Sequence, residues 1–440
     1  MKKISNLIII FFIQVFNESA ASTLTKLKAL EQLKGRGLRW RQTEVLKLEA
    51  DAKSSEAKSY KRLQLHFSAK EFLGKVNPLQ YGLTIANDGN LIAVGTSGIE
   101  GGYLLFDQAI SERIDAAESN QLYTHAQSES YQNDLISLML VQYLNVQKMK
   151  LKTDMLSVSK KRANEVLKIA SAKVNAGLGV KLDLMRAEAL VAAEELKGID
   201  AEMALAKAKQ ELATTLGQEQ LNDDLENLEP ILLDGDEMVR SISDPLDHRA
   251  DLKALKQGVK ATQLMVTAAK HDRWPKVLIY GSWGVFNAGT TPFGLAATSS
   301  NGLGGIAISM PIYTGGRLDG KEQEEAAKAL KTELQESQLR LEAKSQIKLS
   351  LDQVRTTRAA VDVTNRKVKI LNEELRLIQK KYQSGSGSGI EVTNTLVGVA
   401  ETHDSNIDAI YGYELAKVGL FKNLGNFDEY FKRGIKLSHE

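Results

Sequence analysis

The sequence predicts a mainly helical protein in which one long helical hairpin occurs twice, each copy preceded by a pair of β-strands. All six prolines lie outside residues 107–229 and 312–440, and a proline inside a helix costs about 3 kcal/mol. Glycine-turn motifs recur at a constant separation, since 385 − 177, 391 − 183 and 424 − 216 all give 208. The two halves of the chain therefore share one plan, with no insertion between these motifs.

Heptad repeats indicate that the proline-free stretches form packed helices. Apolar residues recur every seven positions in two series: Val354, Val361, Val368, Leu375 and Tyr382, and Leu184, Val191, Leu205 and Leu212, with Gly198 in the remaining place. This spacing is typical of coiled-coil packing. We expect the outbound arms of the hairpins over 107–176 and 316–383, each reaching roughly 100 Å at about 1.5 Å per residue.

Alternating apolar and polar residues predict four strands. Leu65 and Phe67, for example, alternate with His66 and Ser68, as in a strand with one apolar face. The four strands are predicted over about residues 61–73, 97–107, 276–286 and 302–313. Four strands are too few to close a membrane barrel, whose single-chain minimum is about eight strands, so they require copies from other chains or a soluble role.

The domain organisation follows from the repeat. The first repeat covers residues 22–229 and the second covers residues 230–440, with less regular equatorial segments near 217–244 and 425–440. Residues 1–21 read as a signal peptide, because Lys2 and Lys3 precede a short apolar run that ends in small residues suited to cleavage. A permanent membrane anchor is the weaker alternative, since a spanning helix needs about 20 apolar residues.

Composition excludes several classes of function. The chain has 57 basic and 55 acidic residues, a formal net charge of +2, which argues against nucleic acid as a partner. It has no cysteine, and its six histidines show no metal-ligand spacing. No serine stands in a nucleophile elbow. We therefore expect no catalytic site, no metal site and no cofactor.

Several motifs resemble those of the TolC-like outer-membrane efflux proteins over nearly all of the mature chain. They are two glycine turns, each followed by Leu-Gly, together with Met-Pro-Ile-Tyr-Thr-Gly-Gly at 310–316, His-Arg-Ala-Asp-Leu at 248–252 and Arg-Trp-Pro-Lys-Val-Leu at 273–278. The first repeat departs from the pattern, because Asp107-Gln108-Ala109-Ile110 replaces its Tyr-Thr-Gly-Gly exit.

The resemblance implies a fold and a function. The fold is mainly α with a membrane β-barrel contribution: a homotrimer in the outer membrane, in which four strands per chain complete one twelve-stranded barrel and the helices form a tunnel in the periplasm. The function is that of a passive exit duct for efflux or type I secretion. Its partners would be a periplasmic adaptor, an inner-membrane transporter and outer-membrane lipid.

The resemblance also implies a gate at the hairpin turns. Glu391 and Asn394 match the family's constriction, Tyr382 and Asp183 match its bonding partners, and Gly387 stands where the best-known member has an arginine. From the residues alone, the acids at 183 and 391 could instead complement a helix dipole, an effect worth about 0.3–1 kcal/mol. Tyr382 could likewise be a core residue, because it continues the heptad.

Glycines mark the turns themselves, at Gly177, Gly385, Gly387 and Gly389, since a turn that needs positive φ favours glycine. The resemblance implies that these turns are the docking surface for the adaptor. The alternative function is a periplasmic coiled-coil adaptor or structural protein. Such a protein would share the secretion signal and the heptads but would lack the duplicated strand pair.

Overall fold

The structure is a computed structural model of the 440-residue chain, and the residues it describes are 23–74, 92–227, 246–289, 297–384 and 386–437. Five predicted features fall partly or wholly outside these ranges: the signal peptide, much of the loop between the first two strands, residues 228–244 of the first equatorial segment, residues 438–440 of the second, and Gly385.

Helices make up most of the described residues. In chain order the elements are α1 (Lys26–Arg36), α2 (Leu38–Ser59), β1 (Gln64–Gly74), β2 (Ile92–Phe106), α3 (Gln108–Asn175), α4 (Lys181–Leu216), α5 (Ala250–His271), β3 (Lys276–Gly289), β4 (Ala297–Ser309), α6 (Arg317–Gln383), α7 (Gly389–Leu424) and α8 (Phe427–Leu437). The long helices α3 and α6 have 68 and 67 residues. Among the described helices, none has an apolar stretch long enough to cross a membrane.

Residues 208 positions apart in the sequence occupy equivalent positions in the two hairpins. Helices α4 and α7 each have 36 residues, and 389 − 181 and 424 − 216 both give 208. Both helices end at a glycine in the left-handed conformation, Gly217 at φ 75° and Gly425 at φ 68°. In each case the following residue donates a main-chain hydrogen bond to the carbonyl five residues earlier, which is the Schellman motif.

The strands form one antiparallel sheet in the order β1-β2-β3-β4. Phe67, Ile99 and Trp283 lie opposite one another on adjacent strands, and all three are exposed, Phe67 to 73% and Trp283 to 63%. The neighbouring row, His66, Glu100 and Ser282, projects from the opposite face. One face of the sheet is therefore apolar along this stretch and the other is polar. Within the described residues, β1 and β4 each pair with one strand.

The strands differ from the ranges that the alternation predicts, and β4 spans Ala297–Ser309 rather than about 302–313. Strand β2 begins at Ile92 rather than near residue 97, and β3 continues to Gly289 rather than ending near residue 286. The added residues pair with each other, as Ala93 does with Gly289. Main-chain hydrogen bonds join strands whatever their side chains are, so a glycine-rich segment can pair without showing the alternation on which the prediction rested.

The chain divides into two compact units. The hairpin-turn unit comprises residues 1–43, 130–249 and 342–440, and the strand unit comprises residues 44–129 and 250–341. The hairpin-turn unit has two hydrophobic clusters. The larger one includes Tyr143, Leu212 and Tyr413, and the smaller one, which includes the residues next to the turns, brings together Val166, Leu375, Tyr382 and Val392.

The chain segment before α1 is held within the hairpin-turn unit. Leu24 is buried and forms a parallel bridge with Leu225. Its main-chain nitrogen donates to the carbonyl of Asp224 at 2.7 Å, and its carbonyl accepts a 2.6 Å hydrogen bond from the Tyr143 hydroxyl. The described part of the first equatorial segment thus packs against the start of the described chain.

In the strand unit, Asp107 links β2 to α3. Its Oδ1 accepts a 3.0 Å hydrogen bond from the main-chain nitrogen of Ile110, as a helix N-cap does. Its Oδ2 lies 3.2 Å from the Lys276 ammonium, and its carboxyl group is buried. The sequence that replaces Tyr-Thr-Gly-Gly in the first repeat therefore supplies a cap for the long helix.

A second buried carboxylate, Asp272, lies directly after α5. It accepts hydrogen bonds from Arg113 and from Lys321, the latter at 3.0 Å. Burial alone would raise the pKa of Asp272, but the hydrogen bonds and charges of Arg113 and Lys321 outweigh it and hold the pKa below its usual value. Asp272 thereby joins α3, α5 and α6 within the strand unit.

We expect Asp272→Asn to destabilise the protein in a pH-dependent way. A carboxylate with a lowered folded pKa contributes stability above its unfolded pKa of about 3.9, and loses that contribution as pH falls through the folded pKa. At pH 7 the variant should lose about 1–3 kcal/mol, the usual loss for hydrogen bonds to charged groups. Thermal unfolding of the detergent-solubilised protein, followed by circular dichroism, should show this difference shrinking below about pH 4.

Asp319→Asn is the control for this variant. Asp319 is exposed and pairs with Arg273 at 2.6 Å, and an exposed ion pair adds little to stability because water screens it. Equal losses in the two variants, or a loss in Asp272→Asn that does not change with pH, would contradict the role assigned to Asp272.

Candidate functional site

The two hairpin turns share an equivalent main-chain hydrogen bond. In the first turn, the nitrogen of Leu178 donates to the carbonyl of Lys173 at 2.9 Å, and in the second, the nitrogen of Ser386 donates to the carbonyl of Lys381 at 3.1 Å. The two donors, Leu178 and Ser386, are 208 residues apart, and so are the two acceptors, Lys173 and Lys381. Gly177 has a φ of 71°, the left-handed conformation that favours glycine.

Close packing in the second turn requires glycine at position 387. A Cβ atom on Gly387 would lie 2.9 Å from the main-chain nitrogen of Tyr382 and 3.0 Å from the carbonyl carbon of Lys381. Gly179 stands 208 residues earlier and has the same surroundings, because a Cβ atom there would lie 2.9 Å from the nitrogen of Val174. A side chain at position 387 would force the main chain to move, so an arginine does not fit this turn.

The two turns meet at Asp183 and Gly389. Gly389 is the first residue of α7 and is buried, and a Cβ atom on it would lie 2.8 Å from Cγ of Asp183. The Asp183 carboxyl group therefore packs against the main chain at the start of α7, and it lies 3.7 Å from Arg186 on its own helix. The partial positive charge of a helix N-terminus stabilises a carboxylate in this position. Two helix N-termini contribute to this effect: that of α4, which contains Asp183, and that of α7 in the other hairpin.

Tyr382 is a core residue of the heptad. It is 4% exposed, and Val354, Val361 and Leu375 of the same series are also buried. Burial, and after it the nearby Asp183 carboxylate, raise the pKa of the Tyr382 phenol. Tyr382 is therefore buried in the smaller hydrophobic cluster, close to Asp183.

Lys173 completes this cluster, although the sequence did not single it out. Its Nζ donates a 2.6 Å hydrogen bond to the main-chain carbonyl of Tyr382 and lies 3.8 Å from the centre of the Tyr382 ring. In the sequence, Lys173 is only the basic residue in the last turn of α3, a common feature of helix ends. Only the folded structure places Lys173 next to Tyr382 at the end of α6 in the second hairpin.

Glu391 and Asn394 differ from these packed residues because both are exposed. They lie three positions apart in α7, Glu391 in the first turn, so their side chains project from the same side of the helix. The single chain thus leaves the two predicted constriction residues on its surface, while Asp183 and Tyr382 are packed between the hairpins.

A groove of about 420 Å³ runs between α3 and α7 in the hairpin-turn unit. Its walls include apolar residues from both helices, among them Met155, Val158 and Val399, and polar residues at Arg162 and His403. Burial, and then the charge of Arg162, lower the pKa of His403. The groove is therefore mainly apolar, and its charged side chains are those of Asp154 and Arg162, which have opposite signs.

Duplicated hairpins that meet at their turns, with a four-stranded sheet of which one face is apolar, define the class of outer-membrane channels. The fold matches the outer-membrane channel OprN with a TM-score of 0.77, 18% identity, and 91% of this chain and 90% of that chain covered. It matches VceC of Vibrio cholerae with a TM-score of 0.76, 17% identity and coverage of 91% and 96%. These similarities establish the fold.

The chain belongs to the outer membrane efflux protein family, whose pattern matches residues 94–218 and 241–426. It is also 29% identical to the fusaric acid resistance protein FusA of Burkholderia cepacia over 161 residues. That match spans 36% of this chain and 30% of FusA. Members of the family are outer-membrane channels rather than enzymes, so the chain is an outer-membrane protein.

Proposed function

We propose that three copies of the chain form an outer-membrane channel that passively conducts substrates out of the cell. The observation that carries this proposal is the sheet, whose face at Phe67, Ile99 and Trp283 is apolar and exposed. Its outer strands β1 and β4 each have one described neighbour. A sheet in lipid must have no open edge, and three copies of four strands would provide a closed barrel of a size that exists.

A second feature that supports a homotrimer is a seam of exposed residues on α4. The seam follows heptad spacing on the side of the helix opposite its buried residues: Leu182, Met185, Ala189, Ala192, Leu196, Ile199 and Met203. On α6, Val363, Ile370 and Leu377 are also exposed and are seven residues apart. Exposed heptad seams are typical of helices that pack against another chain. We assign the α4 seam to contact with α6 of a neighbouring copy.

We place the gate of the channel at the hairpin turns. In a trimer with a central axis, Glu391 and Asn394 from three chains would form a ring, and their exposure in the single chain leaves them free to do so. Asp183 and Tyr382 would hold the turns in position from within each chain. The ring would narrow the duct, and the packed residues would set how far it closes.

We propose a periplasmic adaptor and an inner-membrane transporter as the partners, since a duct without an energy source cannot move substrates against a gradient. We assign docking of a helical adaptor to the exposed first turn at Gly177 and to the groove at Met155 and Val399. Gly389 is buried against Asp183 and does not belong to this surface. An apolar groove between two helices is the surface into which a further amphipathic helix can pack.

Cell fractionation, followed by reconstitution, tests the proposed function. We expect the protein in the outer-membrane fraction, extractable only with detergent, as a trimer that resists mild heating in SDS. In planar lipid bilayers the purified trimer should conduct ions. A soluble periplasmic monomer that gives no current would contradict the proposal and would favour the alternative, a coiled-coil adaptor or structural protein.

A further inference from the structure

We propose that Lys173 clasps the two hairpin turns of one chain together and is a positioning residue for the gate. This inference rests on the proposed function for its role in gating. The clasp itself is a contact within one chain, so it can be tested whether or not the protein conducts.

The contacts of Lys173 join different hairpins. Lys173 lies near the end of α3 in the first hairpin, and Tyr382 lies at the end of α6 in the second. The ammonium makes two interactions with Tyr382, a 2.6 Å hydrogen bond to its carbonyl and a 3.8 Å approach to its ring centre. A hydrogen bond from a charged donor is roughly twice as strong as a neutral one, and a cation over an aromatic ring adds to it.

Helix dipoles add a second reason for this arrangement. The carbonyl that Lys173 binds is at the C-terminal end of α6, which carries partial negative charge. Asp183, also from the first hairpin, packs at Gly389 on the N-terminal end of α7, which carries partial positive charge. The first hairpin thus presents a cation and an anion to the two oppositely charged helix ends of the second hairpin.

The internal repeat shows that the clasp is not a general feature of the turns. The equivalent of Lys173 at the 208-residue offset is Lys381, whose side chain is exposed. The equivalent of Tyr382 is Val174, which has no ring to receive a cation. The duplicated sequence therefore carries the clasp once per chain. Lys381 is a matched control, with the same residue type at the equivalent place in the other hairpin.

Hydrogen–deuterium exchange of the purified protein in detergent tests the clasp directly. In Lys173→Met, the amides of Ser386 and Gly387, which donate to the carbonyl of Lys381 beside Tyr382, should exchange about tenfold faster, since a hydrogen bond to a charged group is lost. Lys173→Arg should restore slow exchange, because arginine keeps both the cation and the donors. Lys381→Met should leave exchange unchanged. Equal exchange in Lys173→Met and the unmodified protein would overturn the clasp.

Single-channel recording tests its role in gating. Lys173→Met should raise the open-state occupancy several-fold over the unmodified channel, and Lys173→Arg and Lys381→Met should not. If exchange quickens in Lys173→Met but its current matches the unmodified channel, the clasp exists and does not position the gate, which would overturn that part of the inference. If the unmodified protein carries no current, the proposed function fails while the exchange result still decides the clasp.

Discussion

Ile199→Glu is expected to abolish the trimer, and with it the conductance of the reconstituted protein. Ile199 lies in the exposed α4 seam and is 65% exposed in the single chain, between Leu196 at 62% and Met203 at 68%. If a neighbouring copy covers the seam, the variant buries an unpaired carboxylate, which costs at least about 3 kcal/mol per chain. Three interfaces in one closed ring would each bear this cost.

Ala193→Glu is the matched control for Ile199→Glu. Ala193 is exposed on the same helix and the charge change is the same, but position 193 flanks the seam, where coiled coils commonly carry charges. Electrophoresis in SDS without boiling should show a trimer for the control and a monomer for Ile199→Glu. A heat-resistant trimer in both variants would show that the seam does not form the interface.

The helical arms were predictable from the sequence because their signals are strong and local. Proline exclusion and a constant offset bounded the two outbound arms, and the structure places them at Gln108–Asn175 and Arg317–Gln383, within one residue of the expected ranges. The buried heptad through Val354 and Val361 likewise follows from spacing alone. Such features depend on the order of residues in one helix, which a sequence displays directly.

The candidate site was less predictable, because it depends on which helix ends the fold brings together. Lys173 and Tyr382 are 209 residues apart in the chain, and no spacing rule connects a lysine at one helix end with a tyrosine at another. The sequence does not identify the α4 seam as an exposed surface, for a related reason. Helix α4 carries two apolar series, and the sequence does not say which one, that of Leu184 or that of Ile199, packs within its own chain.

The packing of the second hairpin turn requires glycine at position 387. The best-known member of the family has an arginine at the position of Gly387. The close approach of position 387 to Tyr382 shows that this turn accommodates only glycine without moving its main chain. Other residues join the hairpins, among them Lys173, whose Nζ donates a 2.6 Å hydrogen bond to the carbonyl of Tyr382.

Glu391→Gln is expected to reduce the cation preference of the channel. Glu391 is exposed in the first turn of α7, and in the proposed trimer three such carboxylates would surround the duct at its narrow end. Like charges held close together attract cations and repel anions, as acidic rings in cation channels do. The amide has nearly the same shape without the charge, so the cation-to-anion permeability ratio should fall by about twofold or more.

The measurement is the reversal potential across a bilayer with a potassium chloride gradient, compared with that of Glu401→Gln. Glu401 is exposed on the same helix, three turns away, and its substitution removes the same charge from the chain. A shift confined to Glu391→Gln would place the constriction at the start of α7. An equal shift in both variants would mean that selectivity comes from the summed charge of the duct, and an unchanged potential in Glu391→Gln would remove Glu391 from the gate.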